Sequence, residues 1–457
     1  MTRRSRRQRG FTLVELMISL VMGLIVALAA VALAKSATTA FHEQARSSLT
    51  EMGVRTASER LRQDLMRAGH MSTGNIRLDP KVARARKLVD ATTYRYTDLN
   101  NLQSLRVFIG GSKTASQGTM NLANRNLLNP DSIEITGNLT TDDAYAGKIL
   151  SGGNCSGQYV QLDPRADAAV YQLVSGVGGA EGGTSPLASA QSAFIPVSGS
   201  DFIAAVTDPQ GCKHFAPVCA ISTVTNSGGG TDVLVHLRPT GSGGRPVQYS
   251  HFGSGSDEET NGGMAAGCGA SEGGKVTIAP VHRVRWQLAA TPDVLKPPTE
   301  LEATSHKFDL TRQLLDFSGA AAGKPEIVAE YVIDLKFGLT LYDPAQELAG
   351  NNPLRVYELD SDTGSGSISA VMKGASAINA GELGPQHLRS VKFRVATRTA
   401  MADRTADLQV GPVRSDTAPY MSRYCMEDKA LADCKKFARV RTIVSEVALH
   451  NQSRMFY

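Results

Sequence analysis

The chain has 457 residues, of which 42% are hydrophobic and 20% are charged. This composition excludes a disordered chain, and the length exceeds that of one small domain. The formal net charge of +5 is concentrated at one end, because the first ten residues contain five arginines and no acid. The other 43 basic residues balance 43 acidic ones. The balanced body gives no electrostatic support for nucleic-acid binding.

An apolar segment follows the arginines, and residues 11–34 contain a single charged residue, Glu15. As a helix this segment would be about 36 Å long, enough to cross a hydrocarbon core of roughly 30 Å. The arginine-rich side is expected to stay in the cytoplasm. A secretory signal peptide or an ordinary signal anchor explains the segment less well, because neither accounts for a carboxylate, which is costly inside a membrane.

The sequence RGFTLVEL at residues 9–16 resembles the prepilin cleavage motif of type IV pilins and of the pseudopilins of type II secretion. The resemblance implies that a prepilin peptidase cuts between Gly10 and Phe11, removes residues 1–10 as a leader and methylates the new amine of Phe11. Gly10 suits such a site because it has no side chain to obstruct the protease. We expect Glu15 to pair with the new amine, in its own subunit or a neighbour's, since the pairing offsets the cost of burying each charge alone.

The helix is expected to continue as an amphipathic half through residues 35–70. No proline occurs between residues 11 and 69, so the transmembrane half (11–34) and the amphipathic half should form one continuous helix. Gly69 is the predicted terminator. The apolar residues at helical spacing predict a stripe that faces a sheet; they are Phe41, Ala45, Leu49, Met52, Ala57, Leu61, Leu65 and Ala68.

Alternating apolar and polar residues predict antiparallel strands in residues 281–457, which we interpret as a pilin-like sheet core with an elaboration at 343–384. The alternating segments are VHRVRWQLAA (281–290), EYVIDLKFGLTLY (330–342) and LRSVKFRVATRT (388–399). Such alternation is typical of a sheet packed on one face. The last segment, 438–451, changes phase, which indicates either a bulged strand or a strand with two buried faces. The expected fold class is α+β, with the long helix packed on an antiparallel sheet.

Several of these segments also resemble PilW-like minor pilins. They are ERLRQDLMRAGH (59–70), LTRQLLDF (310–317), PEIVAEYVIDLKFGL (325–339) and RVRTIVSEVALHN (439–451). The resemblance covers residues 11–70, 281–342 and 386–451. The lack of a proline within residues 11–34 and the length of the chain favour a minor subunit over the bulk subunit of a filament.

Residues 71–280 contain 30 of the 44 glycines and predict a large Gly-rich insertion of loops and short strands. The strand-like runs are Leu105–Ile109, Ser132–Ile135, Tyr159–Leu162, Phe194–Val197 and Asp232–Leu237.

All six cysteines lie beyond the apolar segment, in a compartment expected to be oxidising, so they are candidates for disulfides. Six cysteines allow 15 connectivities. The simplest prediction pairs Cys212 with Cys219 and Cys425 with Cys434, which leaves Cys155 with Cys268.

A zinc site built from Cys212, His214 and Cys219 is the rival interpretation, but no C-x-x-C pair supports it. Asp360–Gly364 begins like a calcium loop, yet Val371 stands where the twelfth-position acid would be. No metal, cofactor or catalytic residue is assigned, since no HExxH motif occurs and the nine histidines are scattered along the chain. The sequence therefore does not predict an enzyme.

The leading hypothesis is a minor pilin of a type IV pilus. The resemblance implies an inner-membrane protein with its bulk in the periplasm, which joins other minor pilins and the major pilin in a priming complex at the pilus tip, beneath an adhesin. The alternative is a minor pseudopilin of type II secretion, which shares the same N-terminal motif. A third hypothesis is a binding module in which residues 71–280 contact a surface, DNA or a ligand.

Replacing Gly10 by valine should leave the precursor uncut, because a branched side chain would obstruct the peptidase at that position. Immunoblotting should then show a band of lower mobility than the mature protein. Gly23→Val, inside the apolar segment, is the control and should be processed. A Gly10→Val band at the mature position would contradict the assignment.

Overall fold

A computed structural model describes residues 12–76, 79, 81–82, 97–99, 101–110, 128–152, 154–155, 158–165, 167–175, 186–226, 230–238, 273–292, 306–359, 368, 384–402, 423–426 and 436–453. The chain divides into two compact units, Met1–Met52 and Gly53–Tyr457. The expected α+β class is confirmed, since one long helix precedes a chain rich in antiparallel strands.

Helix α1 extends from Leu13 to Met66 without interruption, a length of about 80 Å at 1.5 Å per residue. Its continuity agrees with the lack of proline. The most apolar window of 18 residues has a mean hydropathy of 2.8, and none of that window is buried within the chain. Within the described part of the chain, it is the one helix that is long and apolar enough to span a membrane.

The predicted apolar stripe of α1 is half right. Ala57, Leu61, Leu65 and Ala68 are fully buried, as expected. Phe41, Leu49 and Met52 are exposed by 69%, 69% and 65%, and Ala45 is half-buried, so the prediction that the whole stripe is buried is wrong. Helical periodicity identifies a face but does not show what covers it, and burial begins only at Val54.

Two glycines allow the end of α1 to meet the sheet closely. Gly69 has a φ of +74°, which favours glycine, and its N–H donates to the carbonyl of Thr136 at 2.8 Å. A Cβ on Gly137 would lie 2.4 Å from the carbonyl oxygen of Arg67. The predicted terminator is confirmed, and the helix itself ends at Met66.

The strands form two antiparallel sheets. The first contains β1 (Leu105–Phe108), β2 (Ser132–Gly137), β3 (Tyr145–Ser151), β4 (Gln158–Leu162), β5 (Phe202–Thr207), β6 (Lys213–Thr225), β7 (Thr231–Leu237), β8 (Lys275–Pro292), β9 (His306–Leu315) and β10 (Glu326–Ala329). The second contains β11 (Val332–Tyr342), β12 (Leu354–Tyr357), β13 (Leu388–Arg398), β14 (Arg423–Cys425) and β15 (Phe437–Ala448). The shorter helices are α2 (Ala168–Ser175), α3 (Pro186–Phe194), α4 (Pro344–Leu348) and α5 (His450–Ser453), and 3-10 turns occur at Thr97–Leu99 and Pro385–His387.

Six strands of the first sheet close into a barrel. Their hydrogen-bonded order is β8-β3-β4-β7-β6-β5, and β5 pairs with β8 to complete the ring. Ile278 of β8 lies opposite Tyr145 on one side and Val206 on the other. Because a closed barrel leaves no strand edge unpaired around the ring, it resists edge-to-edge association. Its interior is an apolar cluster that includes Val160 and Phe215.

Strand β8 belongs to two parts of the molecule. Its first residues, up to Val281, pair with β3 and β5 in the barrel. From His282 onward it pairs with β2 and β9. The buried clusters divide at the same place, with Val281 in the barrel core and Val284 and Trp286 in the core that contains α1.

The predicted division at residue 280 therefore lies inside one strand. Strands β1 and β2, which fall in the predicted insertion of residues 71–280, pack in the core with α1. The barrel, α2 and α3 form the other buried cluster. The predicted insertion contains Gly-rich segments at 176–183, 228–230, 241–244 and 253–274, and all of them except residues 230, 273 and 274 lie outside the described residues. The predicted elaboration at 343–384 contains α4 and β12.

Four of the five predicted short strands are confirmed as β1, β2, β4 and β7. The fifth, Phe194–Val197, is wrong, because Phe194 is the last residue of helix α3. Strands β3, β5 and β6 were not expected.

The second sheet confirms the predicted strands at β11 and β13 but not the expectation of one solvent-facing side. Both faces of β11 are buried from Val332 to Leu339. The polar positions form ion pairs, Lys336 with Asp131 at 3.2 Å and Arg394 with Asp334 at 2.8 Å. The alternation correctly separated the apolar face of the strand from the polar face. The polar face is nevertheless buried, and its charged side chains are satisfied by ion pairs instead of by water.

Strand β15 pairs with β13 in one unbroken register, from Ala448 opposite Ser390 to Val440 opposite Arg398. The interpretation of 438–451 as a bulged strand is therefore wrong where β15 pairs with β13. Ala438 and Val440 are buried at one end of the strand, whereas Val447 and Leu449, of the opposite parity, are buried at the other. The change of phase reflects two faces covered at different ends, which agrees with the second interpretation.

Asp64 attaches α1 to the sheet. It is 3% exposed, and its Oδ2 accepts hydrogen bonds from Trp286 Nε1 at 2.9 Å and Arg312 Nε at 2.7 Å. These partners lie on β8 and β9, directly opposite each other in the register. One carboxylate thus satisfies a buried indole and a largely buried guanidinium at once.

We expect Asp64→Ala to destabilise the protein by about 3 kcal/mol, because it leaves Arg312 and the indole N–H without this acceptor. Urea unfolding of the detergent-solubilised chain can be followed by fluorescence of Trp286, the one tryptophan in the sequence. Glu59→Ala is the control, since the exposed Glu59–Arg62 pair should contribute less than about 1 kcal/mol. Equal effects of the two substitutions would contradict this role.

His282 lies where β8 leaves the barrel and is fully buried. Burial, assisted by the positive charge of Arg312, lowers the pKa of this imidazole from its ordinary value of 6.5 to about 4. The folded protein therefore keeps His282 neutral where the unfolded chain would protonate it. Between pH 6.5 and 4 the unfolded state binds more protons, so stability falls as the pH falls.

The His282 contribution should reach about 3 kcal/mol between pH 6.5 and pH 4. In His282→Gln, the free energy of unfolding should fall less steeply over this range than in the unsubstituted chain, because glutamine does not titrate. Urea titrations at several pH values test this. Parallel pH profiles for both chains would show that His282 does not contribute.

Candidate functional site at the N-terminus

The predicted processing site lies at the start of α1. Gly10 and Phe11 lie outside the described residues, so the cleavage position stays a prediction. Thr12 and Glu15 are described, and the carbonyl of Thr12 accepts the first helical hydrogen bond from the N–H of Leu16 at 3.2 Å. Glu15 is therefore in the first turn of the helix.

Thr12 and Glu15 cap the helix reciprocally. The N–H of Glu15 donates to Thr12 Oγ1 at 3.2 Å, and the N–H of Thr12 donates to Glu15 Oε2 at 3.0 Å. The Thr12 hydroxyl also donates to Oε2 at 3.0 Å. This is a capping box, in which two backbone donors that a helix start leaves unsatisfied find acceptors.

The capping box sets the direction of the Glu15 carboxylate. The N–H that it accepts from is that of Thr12, the residue directly after the predicted cleavage point. The carboxylate is thus turned toward the N-terminal end of the helix, where the helix dipole also favours a negative charge. The arrangement can hold a cation at that end, which is where cleavage would create the amine of Phe11.

The surroundings of Glu15 are apolar and exposed within the single chain. Leu13, Leu16 and Met17 are exposed by 77%, 59% and 60%. A carboxylate on such a surface is costly to place in a membrane unless it has a charged partner.

Sequence reasoning identified Glu15 but missed Thr12. The signal was present, because Thr12-Leu13-Val14-Glu15 matches the spacing of a capping box directly before an apolar run.

The cysteines pair differently from the simplest prediction. Cys155, in the β3–β4 connection, is bonded to Cys219 of β6, with a Cα–Cα distance of 6.7 Å and 64 residues between them in sequence. The expected pairs Cys212–Cys219 and Cys155–Cys268 are therefore wrong. Closing a loop of this length stabilises the barrel by about 4 kcal/mol in the chain-entropy model. Proximity in the barrel decides the partner, and sequence spacing did not reveal it.

Cys212 and Cys425 are also disulfide-bonded, whereas Cys268 and Cys434 lie outside the described residues, so the pair Cys425–Cys434 stays a prediction. The rival zinc site is overturned, because the sulfurs of Cys212 and Cys219 are both in disulfides and cannot act as thiolate ligands. The calcium-like segment Asp360–Gly364 lies outside the described residues.

Comparison with known proteins supports the N-terminal assignment. Residues 5–31 match the family model of the prokaryotic N-terminal methylation motif. This match supports a prepilin leader of the type IV pilin kind and a pilin- or pseudopilin-type protein. No curated protein matches the chain. No solved structure matches it.

We expect Glu15→Gln to be processed normally but to assemble poorly, since the new amine would lose its counter-charge. The fraction incorporated into sheared filaments, or into cross-linked oligomers, should fall roughly tenfold or more. Thr12→Val, which removes the hydroxyl but keeps the charge, should have a smaller effect. Ser19→Ala is the control, because Ser19 Oγ only donates to the nearby carbonyl of Leu16. Normal assembly of Glu15→Gln would contradict the pairing.

Proposed function

We propose that this chain is a minor pilin of a type IV pilus, of the PilW-like kind, which acts in the complex that primes filament assembly and then sits at the tip. The observation that carries the proposal is the Glu15 carboxylate, held by Thr12 at the N-terminal end of an otherwise apolar exposed helix. After cleavage, this carboxylate would pair with the methylated amine of Phe11.

The exposure of α1 supports an assembly role. Its apolar surface stays uncovered in the single chain as far as Met52, well past the length that a bilayer would cover. Phe41, Leu49 and Met52 lie beyond the predicted transmembrane half, so lipid is not expected to cover them. Packing against helices of other pilins would bury this stripe, and apolar packing drives such helix association in and near membranes.

The globular part supports a subunit that works at an end of the filament. It adds a closed, disulfide-linked barrel to the sheet that packs on α1. A body of this size suits a specialised subunit better than the repeated subunit of a filament. We propose that it carries no catalytic activity and that its partners are the prepilin peptidase, other minor pilins, the major pilin and an adhesin above it.

The alternative is a minor pseudopilin of type II secretion, because the methylation motif and the capping box suit both systems. Deleting the gene and scoring surface filaments and protein secretion separately distinguishes them. We expect loss of filaments, restored by the unsubstituted chain and not by Glu15→Gln, with secretion intact. A secretion defect with normal filaments would overturn the proposal in favour of the pseudopilin.

A further inference from the structure

A concave groove lies on the outer wall of the barrel. Its volume is about 460 Å³, and strands β3, β4, β5 and β8 contribute to its lining. Because side chains alternate across a strand, Lys148 and Lys275 point away from the core that holds their neighbours Ile149 and Val276. Both lysines are exposed.

The two lysines are placed against each other. Lys148 of β3 and Lys275 of β8 are direct partners in the antiparallel register. Like charges in this position destabilise a sheet, and neither lysine forms an ion pair within the described part of the chain. A negatively charged ligand would relieve this repulsion by accepting hydrogen bonds from both ammonium groups.

The rest of the groove offers polar groups for a hydroxylated ligand. Thr207 and Thr277 are register partners on β5 and β8. The Thr277 hydroxyl donates to the carbonyl of Thr207 at 3.5 Å and keeps its acceptor positions. Gln161 lies opposite Lys148 in the register. Its Nε2 donates a hydrogen bond to Asp232, so its side-chain carbonyl oxygen stays available as an acceptor. Asp163 adds a carboxylate, whose pKa is lowered by hydrogen bonds from Arg165 and, to a smaller extent, by the charge of Lys148.

Hydrogen bonds and a disulfide hold the wall formed after β5. Asp208 Oδ1 accepts from the N–H groups of Gln210 and Cys212 at 3.0 and 2.7 Å, and the sulfur of Cys212 is in a disulfide. The Asp208 carboxylate is therefore engaged in its own turn, and the groove is formed before any ligand arrives, which reduces the entropic cost of binding.

We propose that this groove binds an acidic saccharide. Lys148 and Lys275 hold the carboxylate of the sugar, the hydroxyls of Thr207 and Thr277 and the carbonyl of Gln161 bind its hydroxyl groups, and Asp163 accepts a further hydroxyl. Acceptors and donors around a paired positive charge suit a uronic acid better than a bare anion, because inorganic phosphate has few donors to offer Asp163 or Gln161. The groove is large enough for one or two sugar rings. The site would give the barrel a binding role separate from assembly.

The test uses the detergent-solubilised full chain and saturation-transfer NMR with glucuronate, and with glucose as the uncharged analogue. Inorganic phosphate, the bare anion, is measured by its competition with glucuronate, because it has no carbon-bound protons. Glucuronate should bind, glucose and phosphate should bind more weakly, and salt should weaken glucuronate binding. Lys148→Gln and Lys275→Gln should each weaken it roughly fivefold or more, and the double variant should abolish it.

Lys324→Gln is the matched control, because Lys324 is exposed and does not line the groove. An unchanged far-UV circular dichroism spectrum and an unchanged urea midpoint in each variant show that the fold is kept. The proposal is overturned if glucuronate does not bind, if phosphate binds as tightly as glucuronate, or if the two groove variants bind it as well as Lys324→Gln does.

Discussion

The buried carboxylate of Asp64 is the interaction on which the globular part depends. It joins the end of α1 to Trp286 on β8 and Arg312 on β9. The N-terminal residues of β8 belong to the barrel, where they pair with β3 and β5. The packing of the helix and the closure of the barrel are therefore both built on one 18-residue strand. A buried acid would be costly alone, but here two donors satisfy it.

The chain uses charge in two contrasting ways. In the globular part, charged residues on the strands are buried in pairs, as Lys336 is with Asp131 and Arg394 with Asp334. Breaking such a pair by removing one partner would leave an uncompensated buried charge, which is strongly destabilising. Glu15 instead stays exposed, and within the described part of the chain its carboxylate accepts hydrogen bonds from Thr12. Its remaining acceptor capacity suits a partner that the unprocessed chain does not yet have.

The exposed apolar half of α1 and the closed barrel have opposite association properties. The helix leaves its apolar side chains uncovered, which favours packing with other helices or lipid. The barrel pairs its strand edges around the ring, which disfavours unplanned association. A subunit that associates through its helix and stays unassociated through its barrel needs both properties.

Short-range patterns in the sequence predicted the local structure. The cleavage motif, the helix without proline and the period-two strands β11 and β13 depend on residues within a few turns of one another, so the sequence alone determined the membrane-length helix, its terminator near Gly69 and the α+β class. Contacts between segments that are distant in sequence could not be predicted from these patterns. The tertiary structure decided that β5 closes on β8, that Cys219 bonds Cys155 and not Cys212, and that Phe41 stays exposed while Leu61 is buried. Each of these outcomes depends on which segments meet in space, and local periodicity specifies a face without specifying its partner.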